Sequence, residues 1–239
     1  MLKKLLLAFL INGICLVSGA SAHYLWVTID KKAGENGSTN VYFEGGPSAG
    51  DGQYLDPFIK AGKTWIRTVE HIKPKQLDIK EATKPKRRWL SAALPHGGPR
   101  SVDSYGKWGV YRYGKTDVLL HYYARLLDVD THEALHELAR AEQMNLDIVP
   151  HDHEEEMELT ILWKGKPAAD RTVYIRGPKG FQKNLKTNKK GVVNFKPASP
   201  GRYTFRTSVE ENTAGKEGDK DYTLIRHNGT LIMTLPLKK

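Results

Sequence analysis

Leu159-Thr160-Ile161-Leu162-Trp163-Lys164-Gly165-Lys166-Pro167-Ala168-Ala169-Asp170-Arg171-Thr172-Val173-Tyr174-Ile175 reads as strand, turn, strand. Two β-rich runs flank a Gly-Lys-Pro turn, and Gly and Pro are the residues that punctuate strands. The pattern repeats outward. Strands are expected at 157–163, 171–176, 191–195, 202–209, 222–226 and 230–235. Turns fall at Gly165-Lys166-Pro167, Gly177-Pro178-Lys179-Gly180, Asn188-Lys189-Lys190-Gly191 and Ser199-Pro200-Gly201. So many short strands in so short a stretch predict an antiparallel β-sandwich over 151–239.

Upstream, strand-like runs at 23–30, 39–44, 64–70, 88–93, 109–113 and 117–126 are separated by Gly- and Pro-containing loops. One segment breaks the pattern. Ala134, Leu135, Leu138, Ala139 and Met144 recur at helical spacing behind Thr131, a residue suited to capping, and predict one helix near 131–144. The expected fold class is all-β: two antiparallel β-sandwich domains with one short helix near their junction. The expected division is a leader at 1–22, an N-terminal β domain at 23–150 and a sandwich at 151–239.

The leader reading rests on Lys3-Lys4, the apolar run from Leu5 to Val17, and Ala20-Ser21-Ala22, the small-x-small pattern of signal peptidase sites. The run is too short and too interrupted to span a bilayer, which takes about 20 residues, so no stable membrane insertion is expected. Cys15, the single cysteine, lies in the leader and lacks the preceding small residue of a lipoprotein signal. The expected location is periplasmic or secreted. The mature chain has neither disulfide nor thiolate ligand, so any metal must be held by nitrogen and oxygen. The net charge of +10 reads as a solvated basic surface. Nucleic acid is excluded as a partner, because no known module or basic–aromatic interleaving accompanies the charge.

Cleavage after Ala22 makes His23 the first residue. Its free amine and ring Nδ1 can then close a six-membered chelate on a divalent metal, helped by an α-amine pKa near 8. Cleavage after Ala20 places histidine third, where amine, amides and imidazole suit square-planar Cu(II) or Ni(II). Either cut favours a late first-row metal. His227 is its best expected partner, with His121 or Glu44 supplying a third donor. A rival constellation is His132-Glu133-Ala134-Leu135-His136, which matches the H-E-x-x-H of zinc hydrolases. His151 and His153 lie nearby in what reads as a linker loop.

The blocks 159–175, Thr187-Asn188-Lys189-Lys190-Gly191-Val192-Val193-Asn194-Phe195 and Pro200-Gly201-Arg202-Tyr203-Thr204-Phe205 resemble a transthyretin-like or carboxypeptidase-regulatory-like sandwich. A longer pattern joins Ala22-His23-Tyr24-Leu25-Trp26, Leu146-Asp147-Ile148-Val149-Pro150, and Tyr222 with Arg226-His227. It resembles the DUF4198 family of exported proteins, which are similar to periplasmic components of nickel or cobalt uptake. Two blocks depart from the family pattern. Leu119-Leu120-His121-Tyr122-Tyr123 offers its histidine one residue early, which turns it to the opposite strand face. The last block reads His227-Asn228-Gly229-Thr230-Leu231.

The resemblance implies nickel or cobalt uptake beside a membrane metal transporter. Together with the donor chemistry above, the expectation is an exported, non-enzymatic binder of nickel, cobalt or copper with His23, His227, His121 and Glu44 as metal-site residues. Two alternatives stand beside it. One is a zinc hydrolase on His132, Glu133 and His136. The other is a metal-free polymer-binding or adhesion module using aromatics such as Trp65, Trp89 or Trp108.

Overall fold

The computed structural model describes residues 23–153 and 155–238; the leader read at 1–22 lies outside them. A hairpin of β1 (Tyr24–Asp30) and β2 (Ser38–Glu44) leads to helix α1 (Asp56–Ala61), β3 (Lys63–Thr68) and the short β4 (Lys75–Gln76). Next come β5 (Lys80–Lys84), β6 (Arg87–Ala93), the long β7 (Arg100–Tyr113) and β8 (Thr116–Asp128), and helix α2 (His132–Leu138). The chain continues through β9 (Leu146–His153), β10 (Glu156–Trp163), β11 (Lys166–Pro167), β12 (Thr172–Arg176), β13 (Gln182–Lys186) and β14 (Val192–Phe195). It closes with β15 (Gly201–Glu211), a small pair of β16 (Gly215–Glu217) and β17 (Lys220–Tyr222), and β18 (Leu224–Leu235). The fold is all-β, as expected.

One eight-stranded sheet runs in the order β13-β12-β15-β18-β8-β7-β3-β4. At its centre β18 lies parallel to β8, with Leu224 beside Val118 and His227 beside His121. The two halves divided at 150/151 therefore share this sheet, and that boundary falls inside β9, which pairs with β10 as a hairpin. The sheet β1-β2-β6-β5 covers one face, and β9, β10, β11 and β14 cover the other. Val118, Leu120, Tyr122 and Ala124 of β8 enter the first core, whereas Tyr123 and Leu127 enter the second. Because both of its faces are covered, β18 is almost continuously buried instead of alternating.

The helix expected over 131–144 ends at Leu138. Its start is as read, with the Thr131 hydroxyl accepting the Ala134 N–H at 3.3 Å. Its end is set by buried charge. Arg125, 2% exposed, donates to the carbonyls of Leu138 at 2.9 Å and Ala139 at 2.6 Å. Arg67 reaches the same Leu138 carbonyl at 3.2 Å. Arg125 also bonds Asp103 at 2.9 Å and Asp147 at 2.6 Å, and Asp147 accepts the Ala141 N–H at 2.8 Å. These side chains take the backbone groups that a longer helix would use internally, so the helix stops. Burial pushes the Asp147 carboxyl up from its ordinary range while the Arg125 guanidinium opposes the shift. The Leu-Asp-Ile-Val-Pro block thus owes its aspartate to a structural ion cluster.

Candidate functional site

His23 sits at the mouth of β1, opposite the end of β2. Its ring packs edge-on against Tyr54 at 5.1 Å and lies 5.7 Å from Phe43. Its Nε2 is 3.8 Å from Glu44 Oε2. The other Glu44 oxygen accepts the Gly52 N–H at 3.2 Å. Gly50 packs so closely on this carboxylate that a Cβ there would stand 2.4 Å from it. The Gly-rich loop after β2 is therefore a cradle for Glu44, and it holds one carboxylate oxygen toward His23.

Beside His23 opens a cleft of about 360 Å³ walled by Tyr54, Trp108, Tyr111 and Tyr113, with Tyr122 and Asn228 also lining it. A β-bulge builds that wall. In β7, Gly106 pairs with Tyr122 and Lys107 with His121, but the register shifts and Gly109 pairs with Leu120. Gly109 takes φ +114°, a conformation L side chains rarely adopt. Before the bulge, even-numbered residues face the first core: Val102 enters it, and a Cβ on Gly106 would lie 2.2 Å from Phe58 of α1. After the bulge, Tyr111 and Tyr113 take over that face. Without the extra residue both tyrosines would point to the other side of the sheet. Trp108 Nε1 donates to the Tyr54 carbonyl at 3.2 Å, which fixes the indole. Rings then follow one another edge to face, Tyr54 to Trp108 at 6.3 Å, Trp108 to Tyr111 at 5.8 Å and Tyr111 to Tyr113 at 4.8 Å. Arg226 lies over Tyr113 and is paired with Glu210 at 2.7 Å.

The opposite face of the same strands carries His121 and His227, stacked with ring centres 4.9 Å apart. His227 Nε2 lies 3.0 Å from Glu211 Oε1 and its Nδ1 lies 3.3 Å from the Tyr123 hydroxyl. A carboxylate only accepts, so Nε2 carries the proton and Nδ1 accepts from Tyr123. His121 Nδ1 meets the Tyr105 hydroxyl at 2.8 Å, and Trp163 covers His227 at 4.2 Å. Burial lowers the His121 pKa to about 4, assisted by the neighbouring His227 and Lys107. Burial lowers His227 as well, against the pull of Glu211.

The four expected metal-site residues thus fall into two pairs with the central sheet between them. His23 and Glu44 are together, and His121 and His227 are together. The pairing of His23 with His227 is corrected: Asn228, not His227, turns toward His23, because neighbouring residues of a strand face opposite ways. The one-residue displacement of His121 does place it away from His23. Of the helical pair, His132 Nδ1 lies 2.6 Å from Asp152 Oδ1, and the His136 and His151 rings lie 6.4 and 5.7 Å from it. Among the described residues, no three or more His, Cys, Asp or Glu side chains are grouped to hold a metal. Trp65 packs half-buried on the second core and Trp89 Nε1 donates to Asn40, whereas Trp108 lines the cleft. Tyr54, Tyr111, Tyr113, Tyr122 and Asn228 were not singled out by sequence. The Trp108-Gly109 pair was the available signal for a bulge.

A family model described as "Domain of unknown function (DUF4198)" matches residues 20–211. No curated protein matches the chain. Among solved structures, pullulanase from Anoxybacillus sp. LM18-11, crystallised with maltotriose, aligns at 14% identity and TM-score 0.21. The alignment covers 77% of this chain and 24% of the pullulanase. The chicken CNTN1 FN1–FN3 domains align at 8% identity and TM-score 0.20, over 86% of this chain and 66% of that one. The chain spans about a quarter of the first and just under two thirds of the second. No helix among the described residues is long and apolar enough to cross a membrane.

Proposed function

The chain belongs to the DUF4198 family, and from its own geometry we propose an exported, non-catalytic protein that holds nickel, cobalt or copper on a processed N-terminal His23. One observation carries this reading: the Nε2 of His23, and not a crowded apolar wall, faces the cradled Glu44 carboxylate at 3.8 Å. A chelate through the α-amine uses Nδ1 and leaves Nε2 for an outer partner. Carboxylates in that position orient the ring and raise its basicity. Glu44 is then an orienting group and not a ligand. Only two protein donors bind the ion, so the remaining positions stay open for exchange with a membrane transporter.

The test is calorimetric titration of the processed protein with Cu(II) and Ni(II), after intact mass has established His23 as the first residue. One extra methionine ahead of His23 displaces the amine and breaks the chelate, and affinity should fall more than about tenfold, which is ~1.4 kcal/mol. Glu44→Gln should weaken binding about 10–100-fold. His227→Ala, on the far side of the sheet, should leave it unchanged. Binding should weaken below about pH 6 as protons compete for the nitrogens. Equal affinity of the native and extended termini would remove the proposal.

A further inference from the structure

The aromatic cleft has a feature that the metal reading does not use. Tyr122 is 4% exposed and Asn228 is 7% exposed, and both line the cleft. Among the described residues the one buried side-chain polar atom without a partner is Gln143 Oε1; the Tyr122 hydroxyl and the Asn228 carboxamide instead open into the cleft. At the bottom of the cleft these polar groups remain available to a ligand. Two such groups, adjacent in the register of β8 and β18, therefore form a polar floor beneath aromatic walls.

The chemistry of the floor selects the ligand. A hydroxyl and a carboxamide both donate and accept, which matches groups that do the same. The nearby cation, Arg226, is already neutralised by Glu210 and stacked on Tyr113, so its guanidinium is not free to take an anion. The Tyr113 ring face, which could attract a cation, is already covered by the Arg226 guanidinium. The walls are ring surfaces, exposed by 46% at Tyr111, 43% at Tyr113 and 38% at Tyr54. Successive rings are inclined by 62° to 67°, so they form a curved wall instead of the parallel slot that a flat aromatic ligand needs. A cleft of about 360 Å³ lies at the small end of small-molecule sites, which run from about 300 to 1,000 Å³. We propose that this cleft binds a neutral saccharide ring, the C–H face stacked on the wall of Trp108 and Tyr111 and the hydroxyls bonded to Tyr122 and Asn228. The inference does not require metal at His23, although His23 lines the same cleft.

The experiment uses the processed full-length protein, stripped of metal by a chelator, with cellobiose, chitobiose and maltose as probes. The readout is the Trp108 indole N–H resonance, assigned with Trp108→Phe. At least one sugar should shift it saturably. Tyr122→Phe and Asn228→Ala should each weaken that binding about tenfold, the ~1.4 kcal/mol scale of one good hydrogen bond. Tyr111→Ala should abolish stacking and weaken binding by at least as much, with an unchanged thermal midpoint checking that the variant is folded. The proposal is overturned if none of the three sugars moves the resonance. It is equally overturned if the shift survives Tyr111→Ala and Tyr122→Phe undiminished, or if benzoate saturates the cleft and the sugars do not. Calorimetric titration of the sugar into metal-stripped and Cu(II)-loaded protein separates the two readings: failure of the metal reading leaves sugar binding by the metal-stripped protein intact, and failure of the sugar reading leaves Cu(II) binding intact.

Discussion

The two faces of the central sheet, where β8 and β18 meet, use the same residue types to opposite ends. On the face of His121 and His227, rings are stacked, both nitrogens of His227 are bonded, and Trp163 closes over His227. On the face of His23, the rings of Tyr111 and Tyr113 are left open to solvent, and Tyr122 and Asn228 keep unspent hydrogen-bonding capacity. Buried histidines alone would have pointed to the first face as the site. The difference teaches that satisfaction, not residue identity, separates a structural cluster from a binding surface: a network with its bonds made rigidifies, and an incomplete one waits for a ligand.

The largest expected effect lies behind the closed face, in the ion cluster under α2. Asp147→Ala leaves Arg125 without one of its two carboxylates and Ala141 N–H without its acceptor. Breaking a buried pair from one side costs about 3–5 kcal/mol, so urea unfolding should show a drop on that scale. Tyr111→Ala on the open face should stay within about 0.5 kcal/mol, as exposed substitutions usually do. Equal losses from the two changes would erase the contrast between the faces.

The middle effect is a pH dependence. His121 titrates near 4 when folded, against an ordinary 6.5, and His227 is lowered too. Above about pH 6.5 both are neutral folded or unfolded, and contribute no slope. As pH falls below that value the unfolded chain binds protons first, so stability is lost progressively, for His121 until about pH 4 and by at most about 1.4 kcal/mol per pH unit, and His227 adds a loss of the same sign. Lys107, Glu211 and Glu217 face the same pair and modulate the window. His121→Gln, which keeps an acceptor for Tyr105, should flatten the melting-temperature profile between pH 6.5 and 4. An unchanged slope would mean that the stacked pair is already solvated.

These contrasts also mark what the residues reveal in order. The turns at Gly165 and Gly191 and the strands between them were legible, because each is a local event governed by its own few residues. The first half of β7 was not: Arg100, Ser101, Asp103 and Ser104 look like a loop, yet they are buried because Arg125, Asp128 and Thr64 satisfy them. The helix was legible at Thr131 and misjudged at its end, since Arg125 acts from another element. α1 followed an unread Asp56-Pro57 start. The joining of the halves rests on β18 lying parallel to β8 across more than a hundred residues, which leaves no local trace. At the site, His23 announced itself through the leader motif, whereas the cleft depends on a single bulged residue. Spacing of Trp108, Tyr111 and Tyr113 breaks strand alternation and only makes sense once the register slips.

The smallest expected effect is the sharpest test, because it uses adjacent residues of one strand. Tyr122 and Tyr123 have the same chemistry, are each 4% exposed, and differ in the face they occupy. The Tyr123 hydroxyl donates to His227 Nδ1; the Tyr122 hydroxyl opens into the cleft instead. Tyr123→Phe should therefore cost about 1 kcal/mol, the net worth of an ordinary hydrogen bond, with the orphaned imidazole nitrogen setting the upper end. Tyr122→Phe removes a group that stabilises nothing in the ligand-free protein, so its unfolding midpoint should stay within error of the wild type or rise slightly. Burial raises the pKa of both hydroxyls above the ordinary tyrosine value, so both stay protonated near neutral pH and the comparison is free of charge effects. If Tyr122→Phe instead costs as much as Tyr123→Phe, the Tyr122 hydroxyl is engaged in the ligand-free fold, and the open face is no more open than the closed one.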